Sequence, residues 1–123
     1  MTATAPAAST HALPPTADKS AARGGLRIGP VEVGFPVVQA ALSGYSDGAM
    51  RILARRLGAP YTLCEVVLDK FILQRGRKGR ETLQISDEEH PVGCQLMGAE
   101  PDQFATAAVR VAEMGYDVVD INF

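Results

Sequence analysis

Polar side chains interrupt two otherwise apolar segments in the second half of the chain. Gln95 lies within Pro91–Gly98, and Asp120 and Asn122 lie within Asp117–Phe123. Both segments have the length and apolar content of buried strands. An unpaired buried amide costs about 1–3 kcal/mol, so Gln95 needs hydrogen-bond partners. A ligand that carries both donors and acceptors would satisfy it, and so would a bond to neighbouring side chains or water.

The alternation of side chains along a strand predicts which of these groups share a face. Gln95 shares a face with Gly93 and Met97, and Asp120 shares one with Asn122. In parallel α/β folds, ligands bind at the carboxyl ends of the strands, where Asp120 and Asn122 lie. Glu65, in an earlier strand, is a similar case, because a buried carboxylate must be paired, hydrogen-bonded or protonated. A ligand site and a purely structural polar network both remain open.

The two cysteines are expected to be structural thiols. Cys94 has the opposite parity to Gln95, and Cys64 the opposite parity to Glu65, so both point toward the helices. Their spacing fits neither a zinc site nor a CxxC motif, and no metal is expected. His90 precedes a proline in an acidic turn, Asp87–Pro91, and is expected at the surface.

The elements that would position these residues alternate between strand and helix. Buried strands are predicted at Phe35–Leu42, Tyr61–Leu68, Pro91–Gly98 and Asp117–Phe123. A hairpin around Gly29-Pro30 is predicted over Leu26–Val33. Continuous apolar strands that alternate with helices predict a parallel sheet.

Two amphipathic helices are predicted between the strands. The first is expected to bury the apolar stripe Met50, Leu53, Ala54 and Leu57. Ser46 or Asp47 would cap its start and Gly58 would end it, with Arg51 mostly off the stripe. The second begins at Pro101, ends at Gly115 and is expected to bury Phe104, Ala108, Val111 and Ala112.

The fold class predicted from this pattern is α/β, as the N-terminal half of a (β/α)8 TIM barrel with about four parallel strands. A complete barrel needs about 250 residues, and this chain has 123. A small doubly wound domain is the alternative, although no strand is followed by GxGxxG or a Walker motif. Residues 1–25, rich in Ala, Pro, Thr and Ser, are expected to be a disordered extension, and 26–123 the partial barrel domain.

Composition narrows the class of protein. The net charge of −2 favours no polyanion overall, although the basic stretch Lys70–Arg80 is either a solvated loop or a contact for phosphates. No apolar run approaches the ~20 residues of a membrane span, and the N-terminus lacks the apolar region of a secretory signal. A cytoplasmic location without a membrane is therefore expected.

Four segments, in order, resemble the N-terminal part of the tRNA-dihydrouridine synthase family. Ala41–Asp47 lies where that family has a Pro-Met-Ala-Gly-x-Thr-Asp turn, and Arg51 follows at the family spacing. Asp120–Phe123 resembles the family's Asp-Ile-Asn motif. The other two are the hairpin segment Ile28–Val33 and the strand segment Pro91–Gly98.

The resemblance implies an FMN-dependent barrel followed by a helical tRNA-binding domain. Such enzymes use NADPH to reduce the flavin, which gives hydride to C6 of a tRNA uridine while a cysteine protonates C5. By this resemblance, the backbone of Ala41, Leu42 and Ser43 would lie against FMN. The Gln95 amide would hydrogen-bond the isoalloxazine edge, and Asn122 would face the uracil. tRNA is thus the expected partner.

Two departures from the family pattern shape the expectation. Ala41-Leu42 replaces the family's Pro-Met, and the sequence stops at Phe123, before the family's Gly-Cys-Pro. No catalytic residue is therefore predicted within the chain, because the proton-donor cysteine would lie beyond it. Alone, the 123 residues are expected to be inactive and poorly folded. The alternatives are another FMN-dependent barrel oxidoreductase, such as a dihydroorotate or ene-reductase type, and a non-catalytic truncated remnant that acts as a binding module.

Overall fold

The computed structural model describes residues 25–74 and 83–123. Most of the predicted N-terminal extension and most of the basic stretch lie outside these residues. Within them, the predicted hairpin is confirmed. Strand β1 (Leu26–Ile28) pairs antiparallel with β2 (Val31–Gly34). Gly29 has φ +58° in the connecting turn, a left-handed conformation that glycine adopts at no steric cost.

A parallel sheet forms the centre of the fold. It contains β3 (Thr62–Leu63), β4 (Val67–Leu68), β5 (Val92–Met97) and β6 (Val118–Asn122). On one side β5 pairs with β3 and β4, and on the other with β6 in unbroken register from Gly93–Val118 to Met97–Asn122. All these pairings are parallel, which confirms the predicted α/β class with a parallel sheet.

The predicted strand Tyr61–Leu68 is interrupted rather than continuous. The pairs Leu63–Gly93 and Val67–Leu96 enclose three residues on this strand, Cys64–Val66, but only two on β5. The extra residue produces a bulge, which locally breaks the ladder and re-aims a side chain. Glu65, the middle residue of the bulge, is the side chain affected.

The prediction of a buried first strand at Phe35–Leu42 is wrong. Only Gln39 pairs with the sheet, through an isolated parallel bridge to Thr62. Pro36 has no N–H to donate, and the N–H of Val37 turns back to the carbonyl of Phe35 at 2.7 Å. The segment therefore bends before it reaches the sheet, and the side chains of Phe35, Val37 and Val38 are about half exposed.

The first helix, α1 (Gly48–Arg56), has the predicted ends but a different buried face. Asp47 Oδ1 accepts a hydrogen bond from the Met50 N–H at 2.8 Å, and Gly58 has φ +98°. Leu53 and Leu57, expected inside, are 58% and 63% exposed. Arg51, expected off the stripe, is fully buried. The helix turns this side inward because Arg51 has a buried carboxylate partner, as described below.

Two further helices and a short turn complete the described elements. Helix α2 (Asp69–Leu73) follows β4 directly, and a 3-10 turn occupies Asp87–Glu89. Helix α3 (Pro101–Glu113) begins at the predicted proline, and Gly115 beyond it has φ +96°. No helix among the described residues is both long and apolar enough to cross a membrane.

The main core lies between the sheet and α3. Val92, Cys94 and Leu96 of β5 are completely buried there, against Ala107 and Val111. Phe104 and Ala108 pack against this cluster as predicted. Ala112 does not, because the buried stripe of α3 runs through Ala107, and Ala112 is exposed. On the opposite face of the sheet, Tyr61 and Leu63 form a smaller cluster with Val33.

Candidate functional site

The structure brings Gln95, Asp120 and Asn122 together at the carboxyl ends of β5 and β6. Gln95 Nε2 donates a hydrogen bond to Asp120 Oδ2 at 2.6 Å. Asn122 Nδ2 donates to Gln95 Oε1 at 3.0 Å. All three side chains are half-buried. We call these residues the amide cluster.

Strand register explains why the amide cluster forms. Gln95 and Asp120 are direct partners in the parallel ladder, and Asn122 is two residues beyond Asp120 on the same face. The sequence predicted the shared face of Asp120 and Asn122, and the structure adds Gln95 to it. Cross-strand neighbours on one face lie within hydrogen-bonding reach.

The amide cluster is a structural network that retains hydrogen-bonding capacity. Each side-chain amide has two N–H donors and an oxygen with two lone pairs. In the described bonds, Gln95 uses one N–H and one lone pair, and Asn122 uses one N–H. The two hypotheses drawn from the sequence, a polar network and a ligand site, are therefore compatible.

A second part of the site is the turn that follows Gln39. Three hydrogen bonds of the Ser46 hydroxyl hold this turn together. The completely buried hydroxyl of Ser46 donates to the Ala40 carbonyl at 2.9 Å and accepts from the Leu42 N–H at 2.8 Å. Gln39 Nε2 also donates to it at 3.0 Å. The sequence pattern offers either Ser46 or Asp47 as the helix cap. Asp47 is the cap instead, and Ser46 braces the turn.

The predicted cofactor-contacting residues Ala41, Leu42 and Ser43 lie on this turn. Ala41 is half-buried, and Leu42 and Ser43 are exposed. The Ser46 and Tyr45 N–H groups both donate to the Leu42 carbonyl, at 2.9 and 3.0 Å. The turn is thus tightly closed and presents its outer surface. No bond in the described residues tests the predicted contact with FMN.

Glu65 connects the turn to the sheet. Its Oε2 accepts a hydrogen bond from the Gly44 N–H at 2.7 Å. Glu65 lies in the bulge between β3 and β4, so the extra residue directs its carboxylate to the turn. The sequence marked Glu65 as a polar residue in an apolar strand but gave no partner for it.

Arg51 anchors the other end of the turn and was not among the predicted site residues. Its Nε donates to Glu89 Oε2 at 2.6 Å, and both side chains are almost completely buried. Its two terminal nitrogens donate to the carbonyls of Ser46 and Gln84 at 3.0 and 3.1 Å. The spacing of Arg51 after the turn matches the family pattern, but it does not indicate the partner of Arg51, which lies 38 residues away.

The cysteines occupy the predicted structural positions. Cys64 and Cys94 are buried free thiols on the helix-facing side of the sheet. The hydrogen bond with Cys64, together with burial, raises the pKa of the Cys94 thiol far above its ordinary value. The same hydrogen bond lowers the pKa of Cys64. Neither thiol belongs to the amide cluster or the turn.

Two other titratable groups, His90 and Tyr61, interact with aspartates in or beside β6. His90 is exposed as predicted, and its Nδ1 lies 2.7 Å from Asp117 Oδ2 at the amino ends of the strands. Burial raises the pKa of the Tyr61 phenol, and the charges of Asp120 and Asp117 add to this effect. Over residues 25–74 and 83–123, no group of three His, Cys, Asp or Glu could hold a metal ion.

Comparison with known proteins gives a consistent result. A family model described as dihydrouridine synthase matches residues 38–123. A tRNA-dihydrouridine synthase B of Pseudomonas aeruginosa is 36% identical over 97 residues, which cover 79% of this chain and 29% of the relative. A probable tRNA-dihydrouridine synthase of Aquifex aeolicus is 35% identical over 88 residues, covering 71% of this chain and 28% of the relative.

A more distant relative, a probable tRNA-dihydrouridine synthase of Rickettsia typhi, is 30% identical over 99 residues. That match covers 80% of this chain and 30% of the relative. The chain thus spans about 30% of the length of the curated relatives that it matches.

Proposed function

Because this chain belongs to the dihydrouridine synthase family, we propose that the protein containing these residues reduces a uridine of tRNA to dihydrouridine. The observation that carries the proposal is the family match over residues 38–123, a range that includes the turn, Glu65 and the amide cluster. The relatives named as tRNA-dihydrouridine synthases support the substrate class.

A (β/α)8 barrel is the fold proposed for the complete domain. Two features support it: the described strands are all parallel in the central sheet, and helices follow them on one face. In such barrels, binding groups cluster at the carboxyl ends of the strands. The amide cluster lies at that end, and Glu65 joins the turn to the sheet.

FMN is the proposed cofactor, and the residues present fit the flat part of such a group. The Gln95 amide keeps one N–H and one lone pair beyond its described bonds. It can therefore meet a ring edge that offers both acceptors and donors. The exposed turn of Leu42 and Ser43 offers backbone groups that need no particular side chain. When bound, a flavin reduced by NADPH would supply hydride for C6 of the uracil.

The substrate base would be met by Asn122. Its Oδ1 and its second N–H are not used in the amide cluster. A uracil ring offers one N3–H donor between two carbonyl acceptors, which an amide can match. A base inside a stacked tRNA helix cannot reach such a cleft, so the target uridine must first leave its stack.

The proton for C5 is proposed to come from outside these 123 residues. Cys64 and Cys94 are buried on the helix-facing side of the sheet, so neither is positioned to protonate a base held near Asn122. The predicted inactivity of the 123 residues alone, the disordered extension and the cytoplasmic location stay predictions.

Deletion of the gene tests the proposal. We expect tRNA from the deletion strain to lose dihydrouridine at one or more positions, as measured by mass spectrometry of tRNA digests. The intact gene should restore the modification, and a gene carrying Asn122→Ala should restore it poorly. Unchanged dihydrouridine in every tRNA would reject the proposal. A flavin-containing protein with that result would favour another oxidoreductase of the same fold.

A further inference from the structure

Asp120 stands at one end of a directed chain of hydrogen bonds. It accepts from Gln95 Nε2 at 2.6 Å, and Gln95 Oε1 accepts from Asn122 Nδ2 at 3.0 Å. We propose that Asp120 is a positioning residue that fixes the orientation of both amides, and thereby the atoms that Gln95 and Asn122 present to their ligands. The ligands named here rest on the proposed function, whereas the orientation does not.

The chemistry of the three groups gives the chain its direction. An ionised carboxylate accepts hydrogen bonds and donates none. Gln95 must therefore turn its Nε2 toward Asp120, which places Oε1 toward Asn122. An amide oxygen can only accept, so Asn122 must in turn offer its Nδ2 to Gln95. One carboxylate thus sets two successive amide orientations.

Without the carboxylate, the pair would have no preferred orientation. Side-chain amides have nearly the same shape when their oxygen and nitrogen are exchanged. Gln95 and Asn122 could then bond to each other in either direction. Among the described residues, Asp120 is the only charged group that hydrogen-bonds to either amide.

The β5–β6 ladder holds the donor and acceptor in place. Gln95 and Asp120 are direct partners within five consecutive paired positions. The pairing of the two backbones therefore sets the distance between the Gln95 and Asp120 side chains. Because the backbone positions are fixed, only the orientation of the side-chain amides can vary.

The orientation has a consequence for base selection. With one Nδ2–H bonded to Gln95, Asn122 keeps Oδ1 as an acceptor and its second N–H as a donor for a ligand. Uracil carries a donor at N3 beside carbonyl acceptors, which this pair of groups can match, whereas cytosine carries an acceptor at N3. Exchange of the amide ends would turn Oδ1 toward Gln95 and remove the acceptor for the uracil N3–H.

The Asp120→Asn substitution in the complete protein is the test, because asparagine has nearly the same size but can donate or accept. Nitrogen-15 labelling of Gln and Asn side chains makes the amide protons visible by NMR. In the wild-type protein, we expect the Gln95 amide proton that bonds to Asp120 to exchange with water about 10-fold or more slowly than an amide proton of an exposed glutamine, because a bond to a carboxylate is comparatively strong. Asp120→Asn should remove most of this protection.

Asp117→Asn is the matched control. Asp117 precedes β6 and accepts from the Val92 N–H at 2.7 Å, a bond that an asparagine oxygen can keep. This variant makes the same carboxylate-to-amide change at the other end of the strand. We expect Gln95 protection to match that of the wild-type protein.

Two outcomes would overturn the proposal. The first is fast exchange of the Gln95 amide in the wild-type protein, a measurement that needs no folded variant. The second is unchanged protection and unchanged Asn122 resonances in Asp120→Asn. Neither readout involves flavin or tRNA. The positioning role can therefore fail while the proposed function holds, and the proposed function can fail while the positioning role holds.

A second measurement joins the orientation to the proposed function. If the protein reduces tRNA uridine, Asp120→Asn should lower kcat/KM for tRNA by about 10- to 100-fold, the range expected for loss of a charged hydrogen bond. The assay is run at saturating flavin, because Gln95 also faces the proposed flavin and a change in its orientation would weaken flavin binding. An Asp120→Asn enzyme with wild-type kcat/KM would overturn the role of the orientation in the reaction.

Discussion

Glu65 Oε2 accepts a hydrogen bond from the backbone N–H of Gly44 at 2.7 Å. The bond joins the turn before α1 to the bulge between β3 and β4, 21 residues later. This contact fixes the positions of the two segments relative to each other, and both segments lead to the proposed ligand site. It adds a side-chain link between the turn and the sheet to the backbone bridge of Gln39 and Thr62.

Removal of the Glu65 carboxylate should loosen the turn and weaken flavin binding. Glu65→Ala leaves the Gly44 N–H without its partner, a loss of about 1 kcal/mol for a partly exposed bond. We expect about a 5- to 10-fold rise in the Kd for FMN, measured by fluorescence titration of the complete protein. Glu65→Gln retains an acceptor oxygen and serves as the control, with a smaller rise. An unchanged Kd in Glu65→Ala would show that the turn does not depend on this bond.

The buried ion pair of Arg51 and Glu89 should dominate the stability of this region. Arg51→Met would leave the Glu89 carboxylate buried without its partner, and such losses cost about 3–5 kcal/mol. Urea unfolding of the complete protein would measure the change.

A surface pair provides the control for the Arg51 substitution. Arg56 and Glu88 bond at 2.9 Å, but their side chains are 67% and 44% exposed. Arg56→Met should leave the unfolding midpoint essentially unchanged, because exposed pairs contribute little. Equal midpoint shifts in Arg51→Met and Arg56→Met would contradict the importance given to burial.

Gly93 is expected to tolerate no side chain. A Cβ at this position would overlap the Tyr61 hydroxyl and the Leu63 side chain on the neighbouring strand. Gly93→Ala should therefore destabilise the protein by about 1–3 kcal/mol, as overpacking does. Thermal unfolding would measure this, and the added change Tyr61→Phe should recover part of the loss.

Gly48 is the corresponding control glycine. A Cβ there would meet only Arg51, at an ordinary 3.7 Å, and the residue begins α1. Gly48→Ala should be neutral or slightly stabilising, because alanine has the higher helix propensity. A loss of stability equal to that of Gly93→Ala would show that crowding is not the cause.

Alkaline pH should destabilise the fold through its buried tyrosines. Burial raises the pKa of Tyr61 and Tyr116 above the ordinary value near 10. Above that value the unfolded chain releases these protons while the folded protein keeps them, so stability falls as pH rises. The contribution of these two tyrosines to stability is fully present below about pH 10.

Denaturant unfolding between about pH 9 and pH 11 checks the alkaline effect. The free energy of unfolding should fall over this range, and less steeply in Tyr61→Phe, which lacks one of the raised groups. Tyr45, which is 73% exposed, provides the control substitution Tyr45→Phe. A slope that is the same in wild type and Tyr61→Phe would contradict a contribution from Tyr61.

Local signals in the sequence predicted much of the fold. The Gly29-Pro30 hairpin, the strand around Gln95 and the helix from Pro101 depend on neighbouring residues, and all are confirmed. Side-chain alternation correctly placed Gln95 and Cys94 on opposite faces of the sheet.

The features that the sequence did not predict depend on distant contacts. The bulge around Glu65 is defined only against β5, and the burial of Arg51 depends on Glu89. An arginine in a helix is usually solvated, so the residue type of Arg51 predicts exposure rather than burial. The exposure of Leu53 and Leu57 follows from the same helix rotation.

The site was predicted in part. The sequence identified Gln95, Asp120 and Asn122 as polar residues in buried strands, and the family resemblance gave two of them roles. It could not give the direction of the hydrogen bonds among them. That direction follows from the Asp120 carboxylate, which the β5–β6 register of the folded sheet places opposite Gln95.

The most direct test of the account is the reaction itself, performed with the complete purified protein. The protein is incubated with FMN, NADPH and tRNA from cells that lack the gene. The tRNA is then digested, and the masses of its nucleosides are measured by mass spectrometry. We predict that one or more uridines gain two hydrogen atoms, and that Asn122→Ala slows this gain. Tightly bound flavin with no gain of hydrogen in any tRNA would contradict the account.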